Sequence, residues 1–361
     1  MRYIYLIRHG MPDFPGGARM CLGRTDLSLG LRGRLQAALL GAEFEPLGIR
    51  DCFCSRLCRS RQTAELMGYA SPVIVPGLEE MDAGDWDGLS FDEIRRRWPE
   101  YYERRGRDRS LPPPGGEEFE PAGRRFLAAV SRAMALSRGD IVIVSHSSVI
   151  QTLLCTLEGR PFDCARDFNL PYGSVTKLEA EAPGSFRLAG YGRMPAPPMT
   201  PGLAERLLAA AELPEATAEH CRAAAQAAMD MVCQLAAAGV CLDENLVYAG
   251  ALLHDVAKGT PSHAMAGAGL MAQLGYPDLA PLIARHNEPE DAARVDEAVV
   301  VFLADKLRRG AQPVRVSERF RESRARCRDS AALEAHDRRY KAALTAAGRI
   351  NDICGKDVIP I

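Results

Sequence analysis

Six of the chain's seven histidines fall into two groups whose neighbours could do chemistry. His9 and His146 each follow a short apolar run, with arginines at Arg8 and Arg59. An imidazole near neutral pH can act as nucleophile or proton carrier, and a guanidinium's planar fork matches phosphate oxygens, so this group suits phosphate handling. His220, His254, His263 and His286 are spaced like metal ligands, with carboxylates at Asp255 and Asp305. His220, His254, Asp255 and Asp305 give two imidazoles and two carboxylates. That set suits a divalent first-row ion and leaves coordination positions for water and substrate. Such an ion lowers the pKa of bound water and polarises a phosphoryl oxygen. Only His336 belongs to neither group. The chain therefore reads as two hydrolytic centres on one polypeptide.

Different elements must position the two groups. In the first half, strand and helix signals alternate. Strands are expected at Tyr3–Ile7, Asp51–Ser55, Val73–Val75 and Ile141–Val144, and edge strands at Val175–Leu178 and Phe186–Tyr191 with a turn at Pro183-Gly184. Helices are expected at Leu29–Leu47, Arg59–Met67, Glu117–Ser137 and Ser147–Leu157. The run Ile141-Val142-Ile143-Val144 has no polar alternation, as in a strand covered on both faces. This pattern predicts a layered α/β domain over residues 1–193. Residues 194–202 are proline-rich and read as a semi-rigid linker. From 203 to 361 the chain is rich in alanine and leucine and reads as all-α. Helices are expected at Ala216–Ala238, Glu244–Ala257, Ala264–Leu274, Leu279–Arg285 and Val295–Arg309, with one or two more over Arg319–Ile350. A single short strand is expected over Val314–Val316.

In an open α/β sheet, ligands bind beyond the carboxyl ends of the strands, where Arg8-His9-Gly10 and Ser145-His146 both fall. Between them come Ser55-Arg56-Leu57-Cys58-Arg59-Ser60-Arg61-Gln62-Thr63-Ala64 and the acidic stretch from Leu78 to Gly88. These four segments, in this order, resemble the histidine phosphatase superfamily with its three-layer phosphoglycerate mutase-like fold. The resemblance implies that His9 attacks phosphorus and becomes phosphohistidine. It implies that Arg8, Arg59 and His146 (as an imidazolium) hold the phosphoryl oxygens. Glu80, at the family's spacing before Gly84, would give a proton to the leaving oxygen and later take one from water. No cofactor is needed in this domain. Arg24 and Thr25 lie in a Gly-Arg-Thr-Asp stretch that looks like α-ribazole phosphatases and phosphoglycerate mutases, and would line the substrate entrance. The arginine-rich stretch Arg95–Arg109 falls where the family inserts a lid. Met11-Pro12 and Ser147-Ser148 depart from the family's usual residues and bear on the substrate more than on the chemistry.

In the second half, His254-Asp255 is expected within an apolar helix. Neighbours there lie about 100° apart, so both can reach one ion. With His220, Asp305 and the following Lys258, the pattern resembles HD-domain phosphohydrolases over about 203–310. The resemblance implies a divalent metal (manganese, iron, nickel, zinc or magnesium) held by His220, His254, Asp255 and Asp305. His263 and His286 extend it toward the subgroup with two further histidines, which complete a second metal site or grip the substrate phosphate. Lys258 would contact phosphate. The helices beyond Gly310 have no assigned role.

The formal net charge of −2 gives no footing for a nucleic-acid or membrane partner. No apolar run is long enough to span a bilayer, and Met1–Arg8 is charged too soon for a signal peptide. The expected setting is cytoplasmic, with the eleven cysteines as reduced thiols. Expected partners are small phosphate esters or nucleotides, and homo-oligomerisation is compatible with the chain. The leading expectation is a bifunctional phosphohydrolase. The alternatives are a phosphatase fused to a metal- or nucleotide-sensing HD module without turnover, and a mutase-type transfer in the first domain.

Overall fold

The computed structural model describes residues 2–182 and 184–361, so Pro183 of the expected Pro183-Gly184 turn lies outside the described residues. The chain divides into two compact units, Met1–Pro197 and Pro198–Ile361.

The first unit is built on a six-stranded sheet. Its strands are β1 (Arg2–Arg8), β2 (Asp51–Cys54), β3 (Val73–Ile74), β4 (Ile141–Ser145), β5 (Val175–Ala182) and β6 (Ser185–Arg193), in the order β3-β2-β4-β1-β5-β6. The first four in this order run parallel, and β5 and β6 add an antiparallel edge. Every residue of β4 is buried. Ile141 and Ile143 join one core with Ile4, Leu6 and Phe53, while Val142 and Val144 join the opposite core with Ile7 and Leu40. Helices α1 (Leu31–Phe44) and α2 (Cys58–Leu66) cover the second face. Helices α5 (Phe119–Ala135) and α6 (Ser147–Leu157) cover the first. The arrangement is the three-layer one expected.

Two local departures have clear causes. The helix expected to reach Leu47 stops at Phe44, because Pro46 lacks the N–H an α-helix interior needs; a short 3-10 turn over Glu45–Leu47 follows. The arginine-rich stretch forms two helices, α3 (Phe91–Arg97) and α4 (Pro99–Arg107), broken at Trp98 because Pro99 takes the first position of a new helix.

The second unit is helical apart from a two-stranded hairpin, β7 (Arg308–Arg309) with β8 (Gln312–Pro313). Its helices are α7 (Pro201–Ala211), α8 (Glu215–Ala237), α9 (Glu244–Leu253), α10 (His263–Gln273), α11 (Leu279–Arg285), α12 (Glu297–Lys306), α13 (Val316–Arg324) and α14 (Ser330–Cys354). Helix α8 packs against α9 and α12. Three expectations are corrected. Pro201 and Gly202 open α7 rather than close the linker, because the Thr200 hydroxyl accepts from Leu203 N–H and proline suits the first helical turn. Val316 starts α13 rather than ending a strand. Helix α9 ends at Leu253, so His254 and Asp255 occupy the turn just past it, although His254 keeps right-handed helical backbone angles.

The loop that carries His9 is pressed against α1. A Cβ added at Gly33 would lie 2.1 Å from the Met11 carbonyl oxygen, and one added at Gly10 would lie 2.4 Å from that of Gly33. Both contacts are to backbone, which cannot swing aside. Gly33→Ala is expected to lower the stability of this unit by roughly 1–3 kcal/mol and to displace His9. Thermal denaturation and phosphatase assays of the purified variant check both effects; unchanged melting would show that α1 can shift.

Candidate active sites

The register of two central strands assembles the first site. Arg8 pairs with Ser145 at the ends of β1 and β4, so His9 and His146 leave the sheet side by side. Their rings are 4.9 Å apart between centroids. The neighbouring strand β2 ends at the same edge, and the turn after it delivers Ser55 and Arg59. His9, Arg59, Glu80 and His146 are all buried. Together with Arg8, the first three line a cavity of about 370 Å³, to which Tyr172, Arg105 and Arg166 also contribute.

Hydrogen bonds orient each group. His9 Nδ1 lies 2.7 Å from the Gly10 carbonyl oxygen and so donates to it. That leaves Nε2 as an acceptor, and Arg59 Nε donates to it at 3.2 Å. Arg59 is held by the carbonyls of Thr25 (2.8 Å) and Gly23 (3.0 Å). His146 Nε2 is 2.7 Å from Ser55 Oγ, whereas its Nδ1 is buried with no hydrogen-bond partner. Arg8 bonds the Leu170 carbonyl and lies 3.6 Å above the Tyr172 ring. Glu80 sits at the N-terminus of α6, accepting from the backbone N–H of Ser148 and Val149 at 3.1 Å each and of Met81 at 2.9 Å.

Burial, then the positive charge of Arg59 and Arg8, pushes His9 well below the ordinary imidazole range. His146 is lowered likewise, by burial first and then by Arg59, His9 and Arg8. His146 was expected as an imidazolium; burial beside two arginines disfavours that charged form. Burial also lowers both Arg8 and Arg59.

Neighbouring residues separate from this centre. Glu79 turns away from His9 and lies within ion-pair reach of Arg24, Arg56 and Arg125. Arg24 and Thr25, expected at the substrate entrance, have another place. The Arg24 guanidinium faces Glu79 and Glu117, and the backbone N–H groups of both residues bind the Asp87 carboxylate at 2.8 Å. The Thr25 carbonyl, with that of Gly23, braces Arg59. Arg56 and Arg61 are exposed. Tyr172, Arg105 and Arg166 were missed: they come from a loop and two short helices with no motif around them.

In the second unit, residues from α8, the turn after α9, α10, α11 and α12 converge. His220 Nδ1 donates to the Gly310 carbonyl (3.0 Å), His254 Nδ1 to Ala251 (2.7 Å) and His286 Nδ1 to Ile283 (2.7 Å). Each ring therefore presents an Nε2 lone pair, that of His286 accepting from the Asn287 side-chain amide at 3.0 Å. These meet carboxylate oxygens: His220 Nε2 lies 3.0 Å from Asp305 Oδ1, and His254 Nε2 lies 3.5 Å from Asp255 Oδ2 and 4.0 Å from Asp305 Oδ1. His263 Nε2 and His286 Nε2 lie 3.1 and 3.9 Å from Asp255 Oδ1. Lone pairs facing carboxylates repel unless a cation or proton lies between them. Two sets are close enough to hold one ion, His220–His254–Asp305 and His254–Asp255–His286. His254 Nε2 and Asp255 Oδ1 are buried without hydrogen-bond partners, as metal-directed atoms would be. All the expected ligands are thus brought together, and the donor set fits a divalent transition metal.

Lysines balance the carboxylates. Lys258 Nζ is 2.9 Å from Asp255 Oδ2, and Lys306 Nζ is 2.5 Å from Asp305 Oδ2. Burial opposes ionisation of Asp255, but His254 and Lys258 outweigh it and hold the carboxyl far below its usual range. Asp305 is lowered for the same kind of reason, with Lys306 foremost. Burial and the neighbouring His254 bring His286 down to about 4. Lys306 was missed, although its place beside Asp305 was a signal. The cysteines remain free thiols, and burial pushes Cys54 up to about 12.

Known proteins match the two units separately. The family model of the histidine phosphatase superfamily (branch 1) matches residues 4–192, and that of the HD domain matches residues 217–310. Both are families of hydrolases. A 6-phosphofructo-2-kinase/fructose-2,6-bisphosphatase of Caenorhabditis elegans is 30% identical over 187 residues, covering 50% of this chain but only 39% of that protein. The probable phosphoglycerate mutase GpmB of Salmonella newport is 27% identical over 186 residues, 50% of this chain and 85% of its own length. Among solved structures, Bacillus stearothermophilus YhfR is 30% identical and covers 54% of this chain and 98% of its own, with a TM-score of 0.48. The alpha-ribazole phosphatase from Shigella flexneri is 26% identical and covers 53% and 96%, with a TM-score of 0.47. No helix among the described residues is long and apolar enough to cross a membrane. With its strand-end histidines, its arginines and this match over half its length, the chain belongs to the histidine phosphatase superfamily (branch 1) and carries an HD domain behind it.

Proposed function

We propose that the chain is a bifunctional phosphohydrolase acting on small phosphate esters or nucleotides. The observation that carries the first activity is the Nε2 lone pair of His9, left as acceptor by the Nδ1 bond and placed in a cavity shared with Arg8, Arg59 and Glu80 and flanked by His146. His9 Nε2 attacks phosphorus as the P–O bond to the leaving group breaks, and Glu80 gives that oxygen a proton. Arg8, Arg59 and His146 carry the oxygens' charge in the transition state. Glu80 then takes a proton from water, whose oxygen attacks phosphorus and breaks the P–N bond. Inorganic phosphate leaves, and His9 and Glu80 return to their starting states. The reading of an α-ribazole phosphate-like substrate is supported by the name of the Shigella flexneri relative. A mutase reading is supported by that of the Salmonella newport relative, and separates from hydrolysis by whether phosphate appears free or on a second hydroxyl of the substrate.

In the second unit, His220, His254, Asp255 and Asp305 would hold a divalent ion, with His286 and His263 flanking it. Bound there, the ion supplies a water of lowered pKa and polarises a phosphoryl oxygen. The carbonyls of Gly310, Ala251 and Ile283 keep the rings oriented, and Lys258 and Lys306 offset the carboxylates' charge.

Two substitutions test the assignment. With p-nitrophenyl phosphate in chelator, His9→Ala is expected to lower kcat by roughly 10³-fold or more; undiminished turnover rejects the phosphohistidine route. Asp255→Ala is expected to lower bound metal and metal-dependent nucleotide hydrolysis by at least roughly 100-fold, while chelator-resistant turnover stays. A wild-type chain that binds metal yet hydrolyses no nucleotide would favour the sensing module.

The buried imidazoles of the first site also set a pH response. Their folded pKa values are depressed, so below about 6.5 the unfolded chain binds protons that the folded chain does not. Stability is fully present above that pH and is lost as pH falls, by roughly 1.4 kcal/mol per pH unit for each such histidine. Melting followed from pH 7.5 to 5.5 is expected to show a steeper decline for the wild type than for His146→Gln; equal slopes would contradict the neutral, buried state.

A further inference from the structure

The chain beyond residue 310 lies outside both family matches, yet it walls the second site. The cavity holding His220, Asp255 and Asp305, about 460 Å³, is also lined by Arg319 of α13, Arg326 just after it and Arg339 of α14. The wall is built to stay in place. His336, buried in α14, reaches α13 through its Nε2, which lies 2.9 Å from the Phe320 carbonyl and 3.0 Å from Ser323 Oγ. On the same two helices, Arg324 pairs with Asp337 and Arg338 with Glu288. Among the described residues, Arg319, Arg326 and Arg339 have no carboxylate within ion-pair reach. Arg319 and Arg339 are half-buried, and Arg319 Nε is buried with no hydrogen-bond partner.

The charge along the cavity is uneven. Among the histidines each carboxylate already faces its own lysine. The guanidinium groups of Arg319, Arg326 and Arg339 line the same cavity with no carboxylate among the described residues in ion-pair reach, Glu322 acting on Arg319 and Arg326 only from farther off. A lone phosphoryl group beside the histidines would leave those arginines unanswered. A chain of phosphoryl groups would reach both sets and give each fork oxygens to bind. We infer that the C-terminal helices form a second phosphate subsite, and that the HD-domain site takes condensed phosphates (a nucleoside polyphosphate or an inorganic oligophosphate) rather than a monoester. This inference rests on the reading of the second unit as a metal-bearing phosphate site.

The probe is pyrophosphate, presented as its manganese complex to the full manganese-loaded chain and compared with orthophosphate by calorimetry. The component of each isotherm that Asp255→Ala removes belongs to the second site. Pyrophosphate is expected to bind there at least about tenfold more tightly than orthophosphate, and Arg319→Ala with Arg339→Ala is expected to bring that ratio close to one while bound manganese, measured on the desalted protein, stays the same. Arg326→Ala, at an exposed position that cannot disturb the core, is expected to lower the ratio by about threefold. A ratio near one in the wild type, or one unmoved by the arginine variants with manganese retained, overturns the subsite alone. If Asp255→Ala removes neither manganese nor any phosphate component, the metal-site reading fails and this inference with it.

Discussion

Parallel pairing of β1 with β4 is the constraint from which the first site follows. Because Arg8 stands opposite Ser145, the residues that come next leave the sheet at one height, from adjacent strands. No side-chain interaction has to bring two imidazoles together across more than a hundred residues of chain; the backbone ladder does so. A slip by one residue would turn His9 or His146 to the other face. The apolar residues of β4, divided between the cores on its two faces, make such a slip costly. The chemistry is thus secured by burial of isoleucine and valine some distance from the reacting atoms.

The second unit solves the same problem without a sheet. Three rings each give one nitrogen to a backbone carbonyl and keep the other for the cluster. Two of those carbonyls belong to the helical segment that carries the histidine itself, so the tautomer is decided locally. Packing of α8, α9 and α12 then brings the lone pairs to a common centre. One consequence is a crowd of acceptor atoms that a cation or a proton relieves, offset in part by Lys258 and Lys306.

Much of this was legible in the sequence. The strand ends, the placing of Glu80 rather than Glu79 in the His9 cavity, and the meeting of His220, His254, Asp255, His263, His286 and Asp305 in one cluster all follow from residue type, spacing and family resemblance. Other features were not legible, for physical reasons. Whether His254-Asp255 lies in a helix or just beyond it depends on where the last backbone hydrogen bond closes, and no glycine or proline marks that point. Arg24 looks like an entrance residue by motif, but its guanidinium follows the carboxylates of Glu79 and Glu117, a preference visible only once the loops meet. The linker's last two residues became helix because Thr200 offered a cap. The arginines of α13 and α14 carry no motif, and their meaning depends on which side of a helix faces a cavity.

The position of Glu80 has one more consequence. Its carboxylate is moored to the first amides of α6, the helix that His146 introduces. Glu80 and His146 thus meet at one strand-to-helix junction, although they come from segments 66 residues apart. A movement of that helix would carry the Glu80 carboxylate with it, while the β1–β4 pairing holds His146 beside His9.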